Sequence, residues 1–590
     1  MVTESSRAWC AALWLLFAIG IPLVLQHNLY TASLAASEIA YDTAATYIPL
    51  AKRFLQEGAA LFASPEHLVV APGSYLYMAA LGADAALVVQ ANLLLSALLL
   101  LLVADTVRRL AGPVAACAAA WLMACSPLLP EVLVPALSEP PHLFLIALWL
   151  WTASLIWTGR RHWSLIVLGA VALFSAILVR ATYLYWLPAA IGAAVLLLFT
   201  ASPQLRVAAR SMLIMHLLAA LLTAGWCAQN YVKFGVPAIA TGSGAALYFG
   251  SNAAIDGYEP PYYGMLHDHW LIAGEHSHLS IEGDRRLKTA ALAVYRDMPA
   301  ATFASMALQK LGATLFFSQA TLLDEPFNQR SWRIALVMLA LVGLWGYRRS
   351  PFIWMLGCVI LYHLAIMSLV MHNARYSIGA IEVPLTLAAA LGVARLLSRP
   401  FSGRRLAGFS VLVVMGIAAG VYQQRSSPPL MPMLEKGHYL TVLRASPERL
   451  ESHGFAGNPL AAEGGQIEAA ASILWPGIRF HRLGGTPIVS FRINKLDPAC
   501  THVMLQYSAP DEPVLQQTTH VRGLQFPQEV NLGTLALNSL GRADTAAALR
   551  LSFLCPPGAQ VAIEDLQLRY LTTAHHYRDQ LQSVHSTEVP

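Results

Sequence analysis

Asp42 opens the segment Asp42-Thr-Ala-Ala-Thr-Tyr47, and the spacing predicts a short helix with Tyr47, Leu50 and Phe54 on one side and Gly58 just past its end. There a carboxylate caps the helix, and one within reach of a hydroxyl can also take its proton. Glu139 is a second acid at the start of a long apolar run, beside two prolines that stop a helix from extending backwards. It either complements the helix dipole or faces a polar substrate. Arg375 begins another apolar run, and Glu382 lies seven residues on, two turns deeper on the same helical face. A carboxylate that deep needs a partner, and Arg375 or a polar cavity would serve. His267, Asp268, His269, His276 and His278 offer enough imidazoles for zinc or another divalent ion, but at no established ligand spacing. Solvated histidines fit the same polar stretch, and no metal is assigned. Gly242-Ser-Gly244 has neither a preceding strand nor a following Lys-Ser/Thr, so it is not a phosphate loop.

The elements that must hold these residues follow from composition. Of 590 residues, 56% are hydrophobic and 12% charged, with a mean hydropathy of +0.53. Water is therefore not the solvent for most of the chain. Apolar runs at 8–25, 85–104, 114–125, 141–157, 163–178, 183–198, 212–227, 334–347, 353–370, 377–397 and 406–422 predict about eleven transmembrane helices. Every second connection is short and basic: Arg7, Arg108 and Arg109, Arg160 and Arg161, Arg206 and Arg210, Arg348 and Arg349, Arg404 and Arg405. These ends are cytoplasmic by the positive-inside rule, so the N-terminus is inside and everything after Tyr422 is extracytoplasmic. A cleavable signal peptide would shift that parity, but the small residues near Ala36 lie about ten residues beyond the end of the first run, and the arginine pattern needs that helix retained.

The membrane domain is read as 1–422, with long outward loops at 28–84 and 229–333 whose apolar stretches at 74–81 and 300–317 suit interfacial helices. Residues 423–484 read as a linker and mixed segment, and 485–590 as an extracytoplasmic all-β sandwich, from the period-two alternation of residues such as Val489, Phe491 and Ile493. Cys500 and Cys555 are the only cysteines of that domain, either paired on the oxidising side or reduced in the core.

Taken in order, Asp42 with Tyr47 and Gly58 after the first span, Ala71-Pro-Gly-Ser-Tyr-Leu-Tyr before the second, Ser138-Glu139-Pro140 opening the fourth, Gln229-Asn-Tyr-Val-Lys-Phe-Gly235 after the seventh, and His372-Asn-Ala-Arg375-Tyr376 opening the tenth resemble the GT-C glycosyltransferases. The nearest branches are the protein O-mannosyltransferases and the lipid A aminoarabinose transferases. The resemblance covers roughly 8–397 and implies a polyprenyl-phosphate-linked sugar donor, an outward-facing site and a first-loop acid, here Asp42, as catalytic base. The lipid phosphate would leave opposite the attacking oxygen, so inversion is expected, as in inverting glycosidases.

The resemblance implies substrate-binding roles for Tyr47, Glu139 and Tyr376, and Glu382 is added to them for its place on the face of Arg375. Cations for the leaving phosphate are sought in Arg375, an arginine on the outer boundary against the inward bias, and then in Arg180, Lys310, Lys52 and Arg53. Gln229 stands where an arginine commonly precedes Asn-Tyr, with Lys233 as its candidate replacement. No cofactor is expected, and a divalent ion is left open because some relatives use one. The expected partners are the lipid-linked donor, a lipid, glycan or protein acceptor, and membrane lipids. No nucleic-acid module is visible. The reading is thus a multi-pass glycosyltransferase of a bacterial inner membrane. The alternatives are a lipid-linked glycan ligase or polymerase and a transporter or flippase. A transporter would place coupling charges near the bilayer midplane, where only Glu382 and His363 lie.

Overall fold

The computed structural model describes residues 12–398 apart from 35–39, 41, 134–135, 253–256, 258–268, 274–275 and 317–326, and then 414–415, 418 and 439–571 apart from 479–485, 509–514, 521–526 and 533–546. The chain divides into two compact units, 1–258 with 276–319 and 323–427, and 428–590 with 259–275 and 320–322.

The first unit is helical. Its elements are α1 (Ala12–Thr31), α2 (Ile48–Glu57), α3 (Pro72–Ala80), α4 (Ala85–Ala111), α5 (Pro113–Ala124), α6 (Glu139–Trp157), α7 (Trp163–Val179), α8 (Trp186–Thr200), α9 (Pro203–Phe234), α10 (Ser243–Gly250), α11 (Ile281–Asp297), α12 (Ala300–Phe316), α13 (Phe327–Gly346), α14 (Pro351–Leu369) and α15 (Ala374–Ser398). Each expected span from 8–25 to 377–397 falls on one of these helices. The run at 406–422 lies almost wholly outside the described residues.

Among the described residues, seven helices are long and apolar enough to cross a membrane: α1, α4, α6, α8 with the turn before it, α9, α14 and α15. At 12 residues, α5 reaches only about 18 Å at 1.5 Å per residue, short of a hydrocarbon core of about 30 Å. Arg330 and Arg333 lie within α13, so the connection read as the second outward loop ends several residues before 333. The most enclosed helix is α15, buried over 94% of its most apolar stretch, and it carries both Arg375 and Glu382.

In the second unit nine antiparallel strands among the described residues form two halves. One runs β7 (Gln528–Leu532), β4 (Thr486–Leu496), β9 (Gln560–Leu571), β1 (Tyr439–Arg444). The other runs β6 (Leu515–His520), β5 (His502–Ser508), β8 (Ala547–Leu554), β3 (Gly465–Ile478), β2 (Glu451–Ala456). They are joined where Gly465 and Gln466 pair with Val561 and Gln560. Inward residues of both halves, among them Ile473, Trp475, Phe491, Ile493, Leu505, Phe553 and Ile563, make one core, as a sandwich requires.

The strands start at Tyr439, well before 485, so β1, β2 and β3 lie in the segment read as linker and mixed. Their alternation is broken by bulges. Register shifts between His453 and Phe455, and Gly454 sits there at φ +75°, where a Cβ would come within 2.6 Å of the Ala470 carbonyl oxygen. A second shift separates Trp475 from Ile478, across Pro476-Gly477.

Cys500 and Cys555 are disulfide-bonded, closing a sequence separation of 55 residues. Replacing both by serine is expected to destabilise this unit by about 2–4 kcal/mol, through the entropy the crosslink removes from the unfolded chain. Pulse proteolysis of the full chain in urea checks this. A midpoint for the 439–571 fragment equal to that of the wild type would contradict it.

Candidate active site

Asp42 does not cap its helix. It has helical backbone angles, φ −56° and ψ −38°, and its side chain accepts no hydrogen bond from the following amides. The first turn is held otherwise: the Thr43 and Ala44 amides donate to the Ala40 carbonyl, and the Thr43 hydroxyl donates to the Ala136 carbonyl at 2.9 Å. The Asp42 carboxylate is therefore left to tertiary partners. Gly58 ends α2 at φ +57°, as expected, its amide donating to the Phe54 carbonyl. Tyr47 and Leu50 are buried with Tyr75 and Met78 of α3, which fixes the helix that carries Asp42.

Glu139 is the first residue of α6, after Ser138 and before Pro140 and Pro141, whose missing amides cost nothing in a first turn. Its side chain is fully buried. Arg180 ends α7 in an extended conformation, φ −149°, which turns its side chain off the helix. Its Nη1 donates to Glu139 Oε1 at 2.6 Å and to Ser138 Oγ at 3.3 Å. Arg375, in the first turn of α15, has its own amide fastened to Asn373 Oδ1 at 2.7 Å.

The Arg375 guanidinium reaches both acids. Nη2 donates to Asp42 Oδ2 at 2.8 Å, and Nε lies 2.8 Å from the same Glu139 oxygen that Arg180 holds. The Nε contact is a charge contact without the alignment of a hydrogen bond. Tyr376 lies against both cations, its ring centre 5.1 Å from Arg180 Cζ and 5.8 Å from Arg375 Cζ. Tyr47 feels the same four charges. Burial first, and then the Glu139 charge, hold its phenol above the ordinary tyrosine range, so it stays a neutral donor.

The result is an alternating row, Asp42, Arg375, Glu139, Arg180, drawn from four separate elements. Side-chain exposure is 0% at Glu139 and 13% at Arg180, then 24% at Arg375 and 43% at Asp42. A ligand therefore meets Asp42 and Arg375 first, with Glu139 as the buried hub. The row also lies at one end of the bundle. Glu139 begins the helix that runs to Arg160 and Arg161, Arg180 ends the helix that starts just after them, and Arg375 lies in the first turn of the helix whose last turn carries Arg395.

The remaining candidates lie elsewhere. Lys310 is fully buried on α12, and its ammonium donates to the Gly250 carbonyl at 2.9 Å and the Val370 carbonyl at 3.2 Å, tying the C-terminal ends of α10 and α14 together. Lys233, in the last turn of α9, donates to the Phe62 carbonyl at 3.0 Å. Arg53 pairs with Glu57 at 2.9 Å and with Glu66.

Glu382 is not partnered by Arg375. Its carboxylate meets Arg333 Nη2 at 3.1 Å and accepts from the Ser126 hydroxyl at 3.1 Å, in a fully buried pair between α13 and α15. Seven helical residues separate Arg375 and Glu382 by about 10 Å along the axis, too far for one ion pair, so each takes a partner from a neighbouring helix. Arg333 and Ser126 are not among the sequence candidates, whereas Ser138 stands in the Ser138-Glu139-Pro140 motif. An arginine inside an apolar helix was the available signal for Arg333, hidden because it abuts the polar loop. His267 and Asp268 lie outside the described residues. Among the described residues no group of three or more His, Cys, Asp or Glu is arranged to hold a metal ion.

No protein-family model matches the chain, and no curated protein is similar to it. Among solved structures it is similar to the archaeal oligosaccharyltransferase AglB from Archaeoglobus fulgidus, in complex with an inhibitory peptide and a dolichol-phosphate. The identity is 14% and the TM-score 0.40, over 71% of this chain and 56% of that one. A second structure, the Archaeoglobus fulgidus oligosaccharyltransferase complex with Zn and sulfate, is similar at 14% identity and a TM-score of 0.34, over 60% of this chain and 43% of that one. The chain spans about half the length of these two neighbours.

Proposed function

We propose that this chain is an integral-membrane glycosyltransferase that moves a sugar from a polyprenyl-phosphate carrier to an acceptor hydroxyl on the extracytoplasmic face, with inversion and with Asp42 as general base. The observation that carries the reading is the row of two carboxylates and two guanidiniums at the helix ends opposite the arginine-rich turns, with its accessible carboxylate on the segment before α2. That combination fits a transfer whose donor is anchored in lipid and whose acceptor arrives from water.

In the proposed step the acceptor oxygen attacks the anomeric carbon while its proton passes to the Asp42 carboxylate. The bond from the anomeric carbon to the phosphate oxygen breaks with its electron pair on the phosphate, and Arg375 neutralises that charge at the headgroup level. Glu139, fully buried between Arg180 and Arg375, fixes the guanidiniums and with Tyr47 forms the floor against which the sugar would bind. Tyr376 orients both cations. The sandwich would hold a glycan or position the acceptor, and the enzyme would lie in a bacterial plasma membrane with its N-terminus in the cytoplasm.

The test is native mass spectrometry of the purified protein, followed by incubation with a polyprenyl phosphate carrying a radiolabelled sugar. A co-purified isoprenoid phosphate, together with enzyme-dependent loss of label from the lipid, is the expected result. Movement of intact lipid across vesicles without cleavage of the sugar bond would overturn the reading in favour of a flippase.

A further inference from the structure

We infer that Asp42 and the donor's phosphate compete for Arg375, so that the base is masked until the lipid phosphate draws the guanidinium away. The inference rests on the proposed lipid-linked donor and adds to it how the site is switched on.

The geometry of the row is asymmetric in a way that supports this exchange. Among the described residues Arg375 is the ion-pair partner of Asp42, through Nη2 at 2.8 Å. Glu139, by contrast, keeps Arg180 at 2.6 Å when Arg375 moves, so no buried carboxylate is left uncompensated. Asp42 is the exposed end of the row, where water takes over the solvation that the guanidinium gives up.

The Arg375 Nε is buried without an aligned acceptor, and among the described residues the aligned bond of its guanidinium goes to Asp42. A phosphate offers that fork two oxygens at once, a stronger arrangement than a single bond to a half-exposed carboxylate. While Asp42 accepts from Arg375 through Oδ2, protonating the carboxylate would strip the guanidinium of its paired anion. Once the phosphate holds Arg375, the carboxylate can take a hydroxyl proton without that loss. After transfer the proton on Asp42 passes to water, the lipid phosphate departs, and the ion pair re-forms.

The experiment is a double-mutant cycle on binding, with sugar-free geranylgeranyl phosphate as probe and the full chain in nanodiscs. Geranylgeraniol, inorganic phosphate and phosphatidic acid serve as comparison ligands, separating the phosphate, its isoprenoid chain and an ordinary lipid headgroup. Asp42→Asn, and Asp42→Ala as a second variant, are expected to bind geranylgeranyl phosphate about five- to tenfold tighter than the wild type, since a competing anion has gone. Arg375→Gln should bind at least about tenfold more weakly. In Asp42→Asn/Arg375→Gln the gain should vanish, leaving the affinity of the single arginine variant.

Equal or weaker binding by both Asp42 variants overturns the competition while leaving the donor reading intact. A gain that persists without Arg375 overturns it too, as general electrostatics. Wild-type affinity for geranylgeranyl phosphate no better than for geranylgeraniol or phosphatidic acid overturns the donor reading along with it.

Discussion

Asp42→Asn is expected to lower the rate of sugar transfer by about 10²- to 10⁴-fold at saturating donor, the range that loss of a positioned general base brings. Asparagine keeps the size of the side chain and can still accept from Arg375 Nη2, which aspartate does at 2.8 Å, but it cannot take a proton. The loss should therefore fall on the chemical step and not on folding. The helix after residue 42 does not depend on a cap from this side chain, since the Ala40 carbonyl and the Thr43 hydroxyl hold its first turn. Single-turnover transfer from a radiolabelled polyprenyl-phosphate sugar, with protein matched by its melting temperature, measures the effect. Asp42→Glu, which restores a carboxylate displaced by one methylene, should recover part of the rate. Transfer within a few-fold of the wild type would reduce Asp42 to an ion-pair partner of Arg375.

Asp42 is a candidate that the sequence can offer because its position after the first span is a local feature, and so is the arginine at the start of the tenth. What brings them together is not local. Residues 42 and 375 meet only because the segment before α2 and the first turn of α15 lie at the same end of the bundle, and no spacing along the chain encodes that contact. The same limit explains the error at Glu382. Helical periodicity correctly puts Glu382 on the face of Arg375, but periodicity describes one helix, and α15 is enclosed by others.

The helices were legible because an apolar run and a basic turn are strong one-dimensional signals. The first three strands were not, because Gly454 and Pro476-Gly477 interrupt the alternation at bulges that make sense only against the partner strands. Lys310 shows the converse. Its residue type suited a phosphate, yet its ammonium is committed to two backbone carbonyls, a role available to any buried lysine and invisible until the helix ends are placed.

The buried pair of Arg333 and Glu382 should be the most destabilising place to remove a single charge. Both side chains are essentially unexposed, at 0% and 1%, and their closest approach is 3.1 Å. Glu382 also accepts from Ser126, while Arg333 Nη2 lies 3.5 Å from Ser377 and, among the described residues, its Nε and Nη1 have no hydrogen-bond partner. Arg333→Met leaves a carboxylate without its cation among helices, and Glu382→Gln leaves a guanidinium without its anion. Each is expected to cost about 3–5 kcal/mol, the penalty of an uncompensated buried charge, which is larger than what the intact pair contributes. Arg333→Met/Glu382→Leu removes both charges and should recover most of that loss. Unfolding of the purified protein in bicelles with increasing sodium dodecyl sulfate compares the three variants.

Because Glu382 and Arg375 share α15, the single variants should also loosen Arg375 and slow transfer, and the double variant should restore it if the pair acts only by fixing the helix. A double variant as unstable as either single one would mean that the ion pair itself, with its Ser126 bond, outweighs its desolvation. A stable double variant that no longer transfers sugar would move Arg333 and Glu382 from the frame of the site into the site itself.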